Sequence, residues 1–435
     1  MSPWHIILAL LLIPSMASAQ AELSHQVQSR LAIETDSGRT RLWDTDWRPE
    51  LRWRFDNGGR LTGSLRLRWQ GEPGLRPADG FRDAYAGASR PQGLGDNAEI
   101  ELRELYYERS LGEGYLTVGK QQVVWGKADG LKVLDVVDPQ SFREFILEDF
   151  EQSRIPRWTL NLERPLGDWT LQVLWIPDQT YHALPKPDAT FAFHSPRFVP
   201  AAPSGVAVRL NEAERPSRVF ADADAGFRLS GFVGGWDLSL NYLYHYFNLP
   251  TLHQRVTLDA QPQVEITPRF HRTHLLGGTF SRAFGDWVAR GEVGYFSDRY
   301  FLVADPLHQG EAARSTELSH VVGLDWSGLT DTFVSLQWFQ SWLPQHDERF
   351  IRPKVDSQLT FLLRRSFLNE TLRAEVLWIG GLDAGDGLVR PKLSHDLNDH
   401  LEVWLGADLF YGKHRGTFGQ FDEQDRLLLG LKLGF

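Results

Sequence analysis

"RLLLGLKLGF", Arg426 to Phe435, places Leu427, Leu429, Leu431, Leu433 and Phe435 at every second position, with Arg426, Gly430, Lys432 and Gly434 among the residues between. A period of two is a strand with one apolar face. The same alternation recurs upstream. Leu51, Trp53 and Phe55 alternate with Arg52 and Arg54, Asn57-Gly58-Gly59 gives a hairpin signal, and Leu61, Gly63, Leu65, Leu67 and Trp69 return against Thr62, Ser64, Arg66, Arg68 and Gln70.

Tight turns alternate with long loops along the chain. "RPLGDW" (164–169), "FVGGW" (232–236), "RAFGDW" (282–287), "WSGLTD" (326–331), "SFLNET" (366–371) and "DLNDHL" (396–401) are the turns, and 177–221, 250–264, 297–315 and 412–424 are loops. Short periplasmic turns and longer external loops characterise barrels of the outer membrane. The spacing predicts about eighteen antiparallel strands in an all-β, up-and-down transmembrane barrel. They fall near 22–34, 49–56, 60–70, 98–109, 114–125, 156–164, 168–176, 223–233, 236–247, 267–281, 286–296, 316–326, 331–342, 355–366, 371–380, 389–396, 401–411 and 425–435. Sixteen is the alternative count, because alternation over 98–109 and 114–125 is imperfect.

Composition agrees. The chain has 435 residues, no cysteine and a formal net charge of −10, with a mean hydropathy of −0.33. It has no basic stripe for nucleic acid and no later apolar run long enough for a spanning helix. Its start, "MSPWHIILALLLIPSMASAQ", carries an apolar run, Pro14, and Ala17 and Ala19 before Gln20, so residues 1–19 read as a signal peptide for Sec-type export and 20–435 as the barrel. Trp169, Trp236 and Trp287 follow tight turns and Trp326 precedes one, as a girdle at the boundary of hydrocarbon and water requires. Leu427 through Phe435 are expected to face lipid and to close the ring against Leu23–Ile33. A last strand ending in Phe resembles the signal read by the barrel assembly machinery.

If lipid takes the apolar positions, charged residues line a lumen, among them Arg103, Glu292, Asp408 and Arg426. Arg52, Arg54, Arg66 and Arg68 lie on adjacent strands, and the reading leaves two outcomes: a lattice of cross-strand ion pairs, or a cationic patch with anion preference. Residues 126–155 form the most unusual loop. Phe142, Phe145, Ile146 and Phe150 have helical spacing, which predicts a short amphipathic helix folded into the lumen and narrowing it, or an exposed cap. Lys120, Gln122, Asp135, Asp138, Arg143, Glu144 and Arg154 are the candidate constriction and anchoring residues.

This stretch resembles the Gram-negative proteins grouped as domain-of-unknown-function family 1302. The resemblance rests on Gly119-Lys120-Gln121, Val124-Trp125-Gly126, Asp129-Gly130-Leu131, Leu134-Asp135-Val136-Val137, Asp138-Pro139-Gln140 and Phe142-Arg143-Glu144-Phe145. It implies a location in the outer membrane of a Gram-negative cell, and a neighbourhood containing an RND or MMPL-type transporter and a periplasmic lipoprotein-carrier-like protein. It names no substrate.

Ser319-His320 and Ser394-His395 are adjacent residues whose side chains point to opposite faces of a strand, so neither pair makes a catalytic dyad. The expected function is therefore a channel for a small or amphiphilic solute, without cofactor or metal. A plugged barrel serving as a docking element of a transport assembly is the second reading, and a lipid-modifying enzyme the third.

Overall fold

The computed structural model describes residues 20–71, 75, 84–128, 130–200, 206–258 and 262–435. The expected signal peptide, 1–19, lies outside these, as does Asp129. Eighteen antiparallel strands form the wall. They are β1 (Ala21–Glu34), β2 (Thr40–Arg54), β3 (Arg60–Gln70), β4 (Ala98–Leu111), β5 (Gly114–Gln121), β6 (Arg157–Leu166), β7 (Trp169–Ile176), β8 (Asp224–Val233) and β9 (Trp236–Tyr246). The second half comprises β10 (Arg272–Phe284), β11 (Trp287–Phe301), β12 (Ala313–Leu329), β13 (Thr332–Trp342), β14 (Val355–Phe367), β15 (Leu372–Gly381), β16 (Asp386–Asn398), β17 (Leu401–Tyr411) and β18 (Arg426–Gly434).

Each strand pairs with its successor, and β18 returns to β1 with Leu429 opposite Leu31 and Gly434 opposite Gln26. The end of the chain fastens this seam: the Phe435 N–H donates to the His25 carbonyl (3.0 Å) and the His25 N–H to that of Phe435 (2.7 Å). Closure removes the strand edges that hydrocarbon does not tolerate. The alternation then resolves by solvent. Leu429 is 55% exposed on the outer face, whereas Arg426 at the inward position is 1% exposed, the reverse of a water-soluble sheet. Trp169, Trp236, Trp287 and Trp326 share the outward parity at the turn end, and the Trp287 and Trp326 rings lie 5.9 Å apart across paired strands. Two-residue turns there use glycines at φ of +60° (Gly167), +58° (Gly234) and +59° (Gly285), conformations that glycine adopts without strain.

Three expectations need correction. β2 starts at Thr40, not near 49, because Leu42, Asp44 and Asp46 also face inward while Trp43 and Trp47 face out. Segments expected as plain loop contain a small second sheet, in which Thr251–Thr257 pairs antiparallel with Gln263–Arg269, and Ala207–Leu210 adds in parallel. The predicted helix over 142–150 is absent; only Phe150–Ser153 is helical. Phe145 sits at φ +52°, outside the right-handed helical region, and Phe142 gives its N–H to the Ala183 carbonyl (2.8 Å), so the segment makes separate turns (Phe145 N–H to the Phe142 carbonyl, Leu147 N–H to that of Glu144) instead of a helix.

If lipid solvates the outer face, Leu65→Arg and Leu429→Arg each weaken insertion by about 2–4 kcal/mol where they fall near the bilayer midplane. Urea titration of folding into vesicles, followed by gel mobility, measures this. Wild-type stability in both variants would contradict the assignment of that face.

Candidate functional site

The site is the lumen itself, crossed by the loop between β5 and β6, residues 122–156. Three anchors hold it. The first is Glu292 on β11, whose Oε1 accepts the N–H groups of Lys127 (2.5 Å) and Ala128 (2.7 Å), and whose Oε2 accepts those of Val133 (3.0 Å) and Leu134 (2.8 Å). Gly126 is required beside it, since a Cβ there would stand 2.9 Å from Glu292 Oε1. Val123, Trp125, Val133, Leu134 and Val137 pack on inward Leu174, Ile176, Leu243, Leu275, Phe296 and Val321, an apolar seat on β7 and β9–β12. Three inward glycines shape that seat: a Cβ on Gly226 would press on Trp125, on Gly277 into Leu134, and on Gly294 into Val133. Burial contributes about 1.5–3 kcal/mol for each large apolar side chain.

The second anchor lies on the opposite wall. Phe145, in a left-handed conformation at φ +52°, sits among Phe191, Phe193, Phe410, Phe418 and Phe421, with the Phe421 ring 4.9 Å away. Beside it, Arg426 Nη1 donates to Glu144 Oε2 (2.8 Å), and Arg426 and Arg390 share Asp408.

The third is ionic. Glu148 accepts from Arg68 (2.7 Å) and lies 3.4 Å from Arg66 and 3.7 Å from Arg30, while Asp46 holds Arg66 and Arg68, and Asp44 holds Arg30. Three guanidiniums face three carboxylates. Arg52 and Arg54 stand apart, exposed toward the turn end, with Arg52 on Glu50 at 2.6 Å. The four arginines therefore do not form one cationic patch, and the ion-pair lattice is what the wall contains.

The remaining candidates fall in different places. Asp135 pairs with Arg154 (2.7 Å) and Lys132 inside the loop. Arg143 Nη1 reaches Glu99 on β4 (3.0 Å). Gln122, half-buried, starts the inward turn with its N–H on Glu104 Oε1 (3.2 Å). Asp138, in the loop and outside the strands, accepts the Val123 N–H (2.6 Å); burial pushes its carboxyl up to about 8 against the opposing pull of Arg157. Lys120 does not line the lumen. Its register partners are Leu105 and Trp158, which puts it on the outward parity, and its Nζ donates to the Leu102 carbonyl (2.6 Å).

Open space survives along β1–β4. A cavity of about 520 Å³ near the loop end is bounded by Arg39, Arg41, Gln424 and Asp188–Thr190. The next, about 350 Å³, shares Asp188–Thr190 and extends to Glu99, Arg143, Arg66, Arg103 and Gln152. A third, about 440 Å³, shares Arg66, Arg103 and Gln152 and reaches Ser24, Gln26, Arg48 and Glu50. Arg66, Arg103 and Gln152 thus form the neck between the second and third spaces. Among the described residues no cluster of three or more His, Asp or Glu is arranged to hold a metal.

Of these residues, inward parity alone gave Glu292, Arg103, Asp408 and Arg426 as lumen positions, without ranking them. Asp44 and Asp46 were missed with the first half of β2. Glu148 was visible only as one acid among several in its loop.

A closed eighteen-stranded ring with a charged, loop-narrowed lumen is a porin-like outer-membrane β-barrel. The sequence profile of "Protein of unknown function (DUF1302)" matches residues 95–320, and the chain belongs to that family. Solved structures share the fold. Pseudomonas aeruginosa OpdK with vanillate matches at 10% identity and a TM-score of 0.51, covering 95% of this chain and 98% of that one. Acinetobacter baumannii OccAB3 matches at 10% identity and 0.52, covering 96% and 100%, and OccAB2 from the same organism at 10% and 0.52, covering 95% and 98%. No curated protein matches the chain.

Glu292→Ala removes the acceptor of four N–H groups and loosens the first anchor by about 3 kcal/mol, roughly a hundredfold in exchange protection. Hydrogen exchange at Val133 and Leu134 reports it, while the wall strands keep their protection. Unchanged exchange at both amides would show that Glu292 does not hold the loop.

Proposed function

We propose that the protein conducts a small or amphiphilic solute across the outer membrane, along the β1–β4 side of a lumen narrowed by residues 122–156. The observation that carries this is the succession of three cavities sharing lining residues from the loop end to the turn end, with the neck at Arg66, Arg103 and Gln152. A fully packed interior would leave no such succession. Barrels of this size enclose an aqueous channel unless loops fill it, and here the loop fills the side of β7–β12 and that of β15–β17.

Balanced charge at the neck suits a solute that exchanges hydrogen bonds with both signs more than a strict anion filter. On this reading the mature chain reaches the outer membrane by Sec-type export, and its last strand, from Leu427 to Phe435, is read by the barrel assembly machinery. The tight turns face the periplasm, where an RND or MMPL-type transporter and a lipoprotein-carrier-like protein hand over or receive the cargo. No enzymatic step is part of it.

Deleting residues 130–150 tests the reading in planar bilayers. Wild-type protein should give a small ion current, and the deletion a current several times larger, because the lost segment opens the two filled sides. Equal currents reject a narrowing role for the loop. No current from wild type, with a large one from the deletion, favours the plugged barrel.

A further inference from the structure

The wall steps down at β5. β5 stops at Gln121 because the chain turns into the lumen at Gln122, so its ladder with β4 runs only from Leu105 opposite Lys120 to Leu111 opposite Gly114. The loop half of β4, from Ala98 to Glu104, has no β5 beside it. Gln92 and Gly93 pair there with Ile100 and Glu99, and the Leu94 N–H donates to the Ala98 carbonyl (2.7 Å). β11 from Ser297 to Phe301 likewise runs past β10, and β12 from Ala313 to Glu317 past β13.

The break lies at membrane depth. Lys120 is six residues from the start of β5, which at about 3.3 Å per residue and a tilt near 40° is about 15 Å from the turn end, within the ~25 Å apolar band. Irregular backbone is tolerated at that depth only when covered by protein or facing a cavity.

Here a short segment, residues 84–91, does the covering. Ser89 Oγ donates to Asp178 Oδ2 (2.5 Å), the Ala86 N–H to Thr180 Oγ1 (3.1 Å), and Trp158 Nε1 to the Ala88 carbonyl (3.4 Å). Lys120 Nζ spans the break, reaching the carbonyl of Leu102, whose register partner is Leu65 on β3, and the Ser89 carbonyl (3.4 Å). Gly87 and Ala88 are exposed, and Ala88 lies against Trp158, which shares the outward parity of Leu160 on β6. On the inner side Tyr85, Arg90, Pro91 and Gly93 line the 350 Å³ cavity next to Arg143. Arg143 uses Nη1 on Glu99 and keeps 27% of its side chain exposed, which leaves donors for a further carboxylate.

We propose that this break is a lateral port between the lumen cavity and the surrounding lipid, used by a single-chain amphiphile with a carboxylate head. The head binds at Arg143 in the cavity. The alkyl chain leaves beside the loop half of β4, above the paired ends of β5 and β6 at Gln121 and Arg157, when Ala86–Ser89 is displaced and Lys120 releases the Leu102 carbonyl. The port rests on the reading of the lumen as a conduit and adds a second exit to it.

The chain has no cysteine, so Ala88→Cys with Trp158→Cys, bridged by a reducible bis-methanethiosulfonate, pins the segment to β6. Two readouts are taken on the same proteoliposomes: ion current, and transfer of a dansyl-labelled undecanoate from the lumen into the bilayer. The port requires transfer to fall by an order of magnitude or more on bridging and to return with reductant, the current staying constant. Transfer that ignores the bridge overturns it, and so does a bridge that abolishes current and transfer together, since the segment would then close the lumen. Should that double variant fail to insert, Lys120→Met serves instead: it frees the segment and speeds transfer several-fold, and unchanged or slower transfer overturns the port. Bridge-sensitive transfer without current in any form sinks the axial channel while leaving the port standing.

Discussion

Hydrocarbon offers no hydrogen-bond partner to a peptide group, and every other feature of this barrel follows from that. Eighteen strands satisfy one another only because the last returns to the first. The pairing of Phe435 with His25 completes the ring at its turn end. With the backbone satisfied, side chains sort by solvent: Leu427, Leu429 and Leu431 face outward and Arg426 faces the lumen with Asp408 and Glu144. The same constraint explains why the shortened β5 is notable, for it leaves part of β4 to be capped by a lysine and an irregular segment instead of a strand.

The lumen shows the complementary logic. A loop of about thirty-five residues, 122–156, placed in water inside a barrel would gain little by ordering unless the wall supplied partners. The wall supplies an apolar seat carved by glycines, an aromatic cluster on the far side, and a balanced group of arginines and acids. Glu292 gathers four N–H groups that the loop cannot pair within itself. The motif that marks the family over this stretch therefore has a physical reading. Trp125-Gly126 fits the seat and the carboxylate, Leu134 fills the space left by Gly277, and Phe145 enters the aromatic cluster. What stays open lies along β1–β4, where paired charges rather than apolar side chains line the cavities.

Strand positions were legible because lipid imposes a strict period of two, and both the turn glycines and the tryptophans beside them punctuate it. β2 was read short because Pro49 interrupts the ladder and Asp44 and Asp46 look like loop acids until their partners Arg30 and Arg66 are seen on the neighbouring strands β1 and β3. The helix over 142–150 was misread for a related reason: the aromatic spacing is real, but it reflects contacts with a surrounding wall, not one face of a helix. Lys120 was placed in the lumen from its motif, whereas its register with Leu105 puts it outside. The loop's inward course was expected from its aromatic stripe; its anchors were not, because Glu292 lies more than a hundred residues away in sequence and only the closed ring brings it near.

The seam between β1 and β18 tests the whole account. Leu31→Cys and Leu429→Cys place two thiols directly opposite each other, at a separation a disulfide can span. After folding into lipid vesicles and oxidation, the double variant should run as an internally bridged species that reductant reverses, with neither single variant doing so. Folded, membrane-embedded protein in which these cysteines never bridge, or a mature chain that is monomeric in water without detergent, would contradict the closed ring.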